Sequence, residues 1–131
     1  MRVSRSGAGM AGAAALLALG GCASTQDDDV SDVAAEFADP AGAPEVRCDL
    51  LVPATRETLE SDESASCADV IGDLPLDGGV VESVEIWGGN AQVRLTGDTV
   101  FLTETSAGWR VAAAGCQPRG EAPYDCEVEG P

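Results

Sequence analysis

Few residue types in this chain could do chemistry. Its 131 residues hold five cysteines, 23 acids, seven arginines, and neither histidine nor lysine. Without histidine the commonest general acid–base group is missing, and without lysine there is no Schiff-base nucleophile. No serine sits in a Gly-x-Ser-x-Gly elbow, and no glycine pattern matches a phosphate loop or a dinucleotide fingerprint. Carboxylate pairs are what remains: Asp69 and Asp73, four apart, would share a helical face. With 23 acids in 131 residues, such spacing arises by chance. Asp27-Asp28-Asp29 lacks the alternating ligands of a calcium loop, and no two cysteines have the close spacing of a zinc site. No catalytic residue, metal site or cofactor is therefore assigned.

The cysteine with the clearest chemistry is Cys22. Arg2 and Arg5 precede a short apolar run, Ala14 to Leu19, which ends in small residues, the layout of an export signal. The run falls short of the about 20 residues that span a bilayer. Leu19-Gly20-Gly21-Cys22 resembles the lipobox of bacterial lipoproteins. The resemblance implies that residues 1–21 are a signal peptide, that the Cys22 thiol is alkylated with diacylglycerol, and that Cys22 becomes the new N-terminus. It further implies a palmitate-type lipid anchor at the cell membrane, on the extracytoplasmic face. Two or more acyl chains hold firmly where one holds marginally.

Residues 22–131 then carry all 23 acids against five arginines, a charge of −18, compared with −16 for the whole chain. Such a chain has no basic patch to neutralise phosphates, so nucleic acid is not an expected partner. The acidity reads as an acidic proteome or a solubilising surface, with attraction for cations or basic partners as the alternative. Besides Cys22 there remain Cys48, Cys67, Cys116 and Cys126. An even number in a small exported domain reads as two disulfides. Cys48–Cys67 and Cys116–Cys126 are favoured, since each pair is close in sequence and flanks one recognisable segment. Each would contribute about 3 kcal/mol in the chain-entropy picture.

The elements that must position these residues fall in two blocks. Residues 22–32 are polar and acidic without apolar periodicity and read as a solvated tether. Val30, Val33, Ala34 and Phe37 recur at helical spacing, and Asp39-Pro40 stops that helix. Pro44-Glu45 opens a second helix, carrying Val46, Leu50 and Leu51 on one side. Pro53 opens a third, and Cys67 to Ile71 makes a further turn or two. From Val80 the period becomes two. Strands around Val84–Ile86, Ala91–Leu95, Val100–Leu102 and Trp109–Ala113 are separated by Gly88-Gly89-Asn90, Gly97-Asp98 and Ser106-Ala107-Gly108. Short connections imply an antiparallel meander. The helices are its available cover. The expected fold is α+β, with helices in 33–74, strands in 80–116, and a proline- and glycine-rich tail, 117–131, pinned by a disulfide.

Short helices followed by a curved antiparallel meander resemble the NTF2-like (cystatin-like α+β cone) class, over roughly Val30 to Cys116. Such cones are normally built round a long first helix, here interrupted by Pro40, Gly42 and Pro44. Cys48-x-Leu50-Leu51-Val52-Pro53-Ala54-Thr55-Arg56, Gly97-Asp98-Thr99-Val100-Phe101-Leu102 and Gly108-Trp109-Arg110-Val111 look like segments of uncharacterised actinobacterial lipoproteins. The alanine, glycine and valine usage with no lysine resembles a high-GC actinobacterial composition. Neither likeness transfers a catalytic residue.

Four residues stand out for binding. Trp87 and Trp109, at strand positions, are either lids on the core or ligand-facing aromatics. Arg94 and Arg110, also on strands, are surface partners for Glu85 or Glu104, or else anion contacts. The functional expectation is a lipid-anchored envelope domain, non-enzymatic, that binds a small-molecule ligand or an envelope protein. The alternatives are a carboxylate-dependent enzyme of the NTF2-like class and a cation-binding or structural envelope component.

Overall fold

The computed structural model describes residues 21–131, with side chains from Thr25 onward, so residues 1–20 of the expected signal peptide and the Cys22 thiol lie outside the described residues. Four helices, α1 (Gly21–Ala38), α2 (Pro44–Asp49), α3 (Pro53–Glu63) and α4 (Cys67–Val70), precede five strands. These are β1 (Val81–Trp87), β2 (Asn90–Leu95), β3 (Thr99–Thr105), β4 (Gly108–Arg119) and β5 (Ala122–Glu129). The strands form one sheet in sequence order, every neighbour antiparallel. The architecture is α+β, with the meander that the period-two segments predict. No helix among the described residues is long and apolar enough to cross a membrane.

The helices cover one face. Ile86, Ala91, Leu102 and Val111 stand side by side across four strands, and the last three are buried. They meet Val30, Ala34 and Phe37, all within 1% of full burial, which form a single stripe along α1. The stripe explains a difference from the sequence reading. Residues 22–32 are not an extended tether but the first part of α1, an 18-residue helix. Once packing holds Val30 to Phe37 in helical form, each added residue gains a hydrogen bond without a new nucleus. Thr25 to Asp29 stay exposed on that extension.

The tail also differs from expectation. Residues 122–129 form β5, paired with β4 from Arg119↔Ala122 to Ala113↔Glu129. Pro118, Gly120 and Pro123 suggest a loop, but Pro123 is in the edge strand β5, where a proline need not break the ladder. Pro118 sits at the register shift between Gln117 and Arg119 of β4, and Gly120 lies in the turn between the strands. Both disulfides take the expected partners. Cys48–Cys67 ties α2 to α4, and Cys116–Cys126 joins directly opposed residues of β4 and β5. In α2, Val46 points outward, 43% exposed, while Arg47 and Cys48 are buried. Asp69 and Asp73 do not share a helix, because α4 ends at Val70.

Arg47 is 4% exposed. Its Nε donates to the Phe37 carbonyl at 2.8 Å, and the guanidinium lies 5.7 Å from the Phe37 ring centroid. It thus satisfies one of the orphan carbonyls at the C-terminus of α1, where a cation is favoured. Burial pulls the guanidinium pKa below its ordinary value, and the Asp39 carboxylate opposes that. At neutral pH it stays charged. Arg47→Ala leaves the carbonyl and the ring without their partner, and is expected to cost about 2–3 kcal/mol. Denaturant unfolding of the oxidised protein measures this; an unchanged midpoint would mean that Arg47 does not hold α1 to α2.

Candidate functional site

The sheet's outer face is set by register. Glu85, Gln92, Phe101 and Ala113 are opposed in one row, and Trp87, Asn90, Thr103 and Arg110 in another. Between the Phe101↔Ala113 and Thr99↔Cys116 pairs, β4 spans three residues where β3 spans two. The extra residue is accommodated at Gly115, whose φ is +64°. A Cβ there would approach Leu76 Cδ2 at 2.8 Å, so only glycine fits. The bulge returns Cys116 to the outer face, and the disulfide to Cys126 fixes the register of β5. Two residues before Cys126 stands Tyr124.

The Tyr124 ring meets the Phe101 ring edge to face, with centroids 5.1 Å apart and planes at 78°. Gln92 Nε2 donates to the Tyr124 hydroxyl at 3.4 Å, so the ring reaches from β5 toward β2. Beside this pair opens a groove of about 540 Å³, floored by Ala112 and Ala113 and walled by Pro123, Glu129 and the start of α3. The start of α3 is held in place by backbone pairing. Val52 N–H donates to the Val111 carbonyl at 2.9 Å, and Val111 N–H donates to the Leu50 carbonyl at 2.8 Å. The buried Thr55 hydroxyl donates to the Ala112 carbonyl at 3.0 Å.

A polar cleft of about 180 Å³ shares the Tyr124 wall and contains Glu82, Arg94, Asp98 and Gln117. Asp98 is 6% exposed. Its Oδ2 accepts the Gly78 N–H at 3.1 Å, whereas Oδ1 is buried with no partner. Burial pushes this carboxyl above its ordinary 3.8; the Gly78 N–H pulls it back, and Asp77 pushes it up.

The four binding candidates read from the sequence are not brought together. Arg94 lines the polar cleft. Trp109 is 6% exposed, in the core. Trp87, 50% exposed, lies with Arg110 in the row nearer the hairpin turns. Arg110 Nη1 donates to the Trp109 carbonyl at 2.8 Å. Glu85 and Glu104 are not their partners: the ion pairs among the described residues all fall on Arg56, to Glu45, Asp49 and Glu60. Sequence reasoning missed Phe101 and Tyr124. The signal for Phe101 was its alternation with the inward Val100 and Leu102. For Tyr124 alternation was no guide, because the period-two run Tyr124, Cys126, Val128 ends in the core at Val128.

The groove can bind, and its lining offers little for catalysis. Its ionisable side chains are Glu129 and the Tyr124 phenol, Cys126 is oxidised, and the Thr55 hydroxyl is committed to a carbonyl. Among the described residues no group of three or more acids or cysteines is placed to hold a metal ion. The chain matches no protein-family model, no curated protein and no solved structure.

Asp98 gives a pH signature with a definite sign. A carboxyl whose folded pKa is raised binds its proton more tightly folded than unfolded, so its stabilising contribution is lost as pH rises from 3.8 through the folded value. In Asp98→Asn the amide oxygen keeps the Gly78 contact and the titration disappears. The denaturant midpoint of the variant relative to wild type should climb across that window and level off above it. A difference that does not vary with pH would show that Asp98 does not titrate as its burial requires.

Proposed function

We propose that this chain is a non-enzymatic, lipid-anchored binding domain. It would be held on the extracytoplasmic face of a cell membrane through diacylglyceryl-Cys22, with the outer-face groove as its ligand site. One observation carries the binding half: a groove of about 540 Å³ with an ordered aromatic pair in its wall. Its size falls within the about 300–1,000 Å³ of small-molecule sites. Helices on one face of an antiparallel meander support an NTF2-like reading. In that reading the site has moved: the inner face is filled by side chains and the opening lies on the outer face. A carboxylate-dependent enzyme is the weaker reading: the groove's side chains supply one carboxylate, Glu129, and the Glu82 and Asp98 carboxylates lie in the separate polar cleft.

The anchoring half rests on the residues around Cys22. Cys22→Ala should shift the protein from the membrane fraction to the aqueous one; a variant that stays behind would sink the anchor. For the groove, fragment titrations followed by amide NMR should move Ala112, Ala113 and Tyr124 together. Phe101→Ala should weaken the best fragment about tenfold, which is about 1.4 kcal/mol, while leaving the dispersed spectrum of a folded domain. Shifts scattered over the surface, or none, would defeat the reading.

A further inference from the structure

The same groove carries a more specific assignment, which rests on its being a ligand site. Two rings at 78° with centroids 5.1 Å apart form a right-angled corner. Both side chains are only half-buried. Ring faces are the negative poles of aromatic side chains; an edge-to-face pair covers part of one face, and the free face of the ring that gives its edge stands at the corner, which suits a cation whose charge is spread over methyl groups. Glu129 lines the same groove, opposite Ala113, which is itself opposite Phe101, and is its only charged side chain. Arg56, next in sequence to the lining residue Thr55, cannot compete for the site. Its guanidinium is engaged by Asp49 at 3.0 Å, Glu60 at 3.6 Å and Glu45 at 4.0 Å.

Opposing a cation is the N-terminal end of α3, where Ala54 and Thr55 line the groove. A helix end counts as about half a charge and is worth about 0.3–1 kcal/mol when exposed. Glu129 is a full charge of opposite sign, and the domain around it is strongly acidic. The balance favours the cation. An ordinary primary ammonium keeps its water more tightly than an alkylated one, so the aromatic corner selects for methylation.

We infer that the groove binds an alkylated ammonium group, seated in the Phe101–Tyr124 corner with Glu129 as its counter-charge. The same headgroup occurs on a free solute and on a lipid, and the two sources are separable.

The test uses the unlipidated chain, residues 23–131 with both disulfides, and three probes followed by amide NMR: choline, its neutral carbon isostere 3,3-dimethylbutan-1-ol, and choline-headgroup lipid vesicles. Choline should shift Ala113 and Tyr124 at least tenfold more tightly than the isostere. Tyr124→Ala should lose at least tenfold, and Glu129→Gln several-fold without change in the spectrum of the free protein. Saturable binding of free choline with no retention on the vesicles assigns the site to a solute; retention abolished by Tyr124→Ala assigns it to the lipid. Equal affinity for choline and isostere would overturn the cation assignment and leave the groove as an apolar site. Binding by neither, with fragments also failing to move these residues, would overturn the groove itself.

Discussion

The domain depends on how β4 divides its two edges. One edge is taken by β3. The other is shared: Val111 pairs with the Leu51 segment, and from Ala113 onward the partner is β5. Backbone groups in a covered sheet must be paired, so this division fixes where α3 starts and where β5 ends. It leaves Ala112 at the changeover, its carbonyl taken by the Thr55 hydroxyl. The groove opens at that changeover, between the two partners of one strand edge. Its position follows from a constraint on hydrogen bonding, and small alanines on its floor leave the space unfilled.

Aromatic residues show how the chain distributes its apolar surface. Only 4% of residues are aromatic. Phe37 and Trp109 are in the core, whereas Trp87 is half exposed and Phe101 and Tyr124 line the groove. A domain this small buries little surface per residue, and placing large rings outside the core forgoes several kilocalories of burial per mole. Other devices stabilise it. The Cys48–Cys67 link, with a sequence separation of 19, and the Cys116–Cys126 link, with 10, each offset about 3 kcal/mol of chain entropy. Arg47 closes the end of α1 where Pro40 breaks the chain. Where local rules are broken and compensated elsewhere, function is the usual reason.

Much of this was legible in the residues. Proline at Pro44 and Pro53 marked the starts of α2 and α3, and the change of period at Val80 marked the sheet. The cysteine spacing gave both bridges. The failures have physical causes. Polar residues 22–32 carry no helical period of their own, because their helix is held by packing further along. Proline and glycine at 118, 120 and 123 signal a break; the edge strand β5 absorbs Pro123, Gly120 makes the turn, and Pro118 falls at a register shift of β4. Tryptophan and arginine stand out in the sequence by type, whereas exposure is decided by register. Phe101 faces out because Leu102 must face in. Tyr124 reaches it only through a bulge at Gly115 that no alternation pattern announces.

Charge acts on this site over two ranges. Of the arginines in the described chain, Arg47 is buried at a helix end and Arg56 is surrounded by three carboxylates. The acidic excess is therefore largely uncompensated, and its field draws cations toward the surface. Beyond about 8 Å at physiological ionic strength that field is screened, so acids on α1 and the far helices influence how often a cation arrives more than how long it stays. Residence is set by groups in contact, where solvent is partly excluded and screening is weak. For the alkylated ammonium we propose, those groups would be the Phe101–Tyr124 pair and the Glu129 carboxylate. Raising the salt concentration should then slow arrival steeply while changing departure little, a separation that a purely apolar groove would not show.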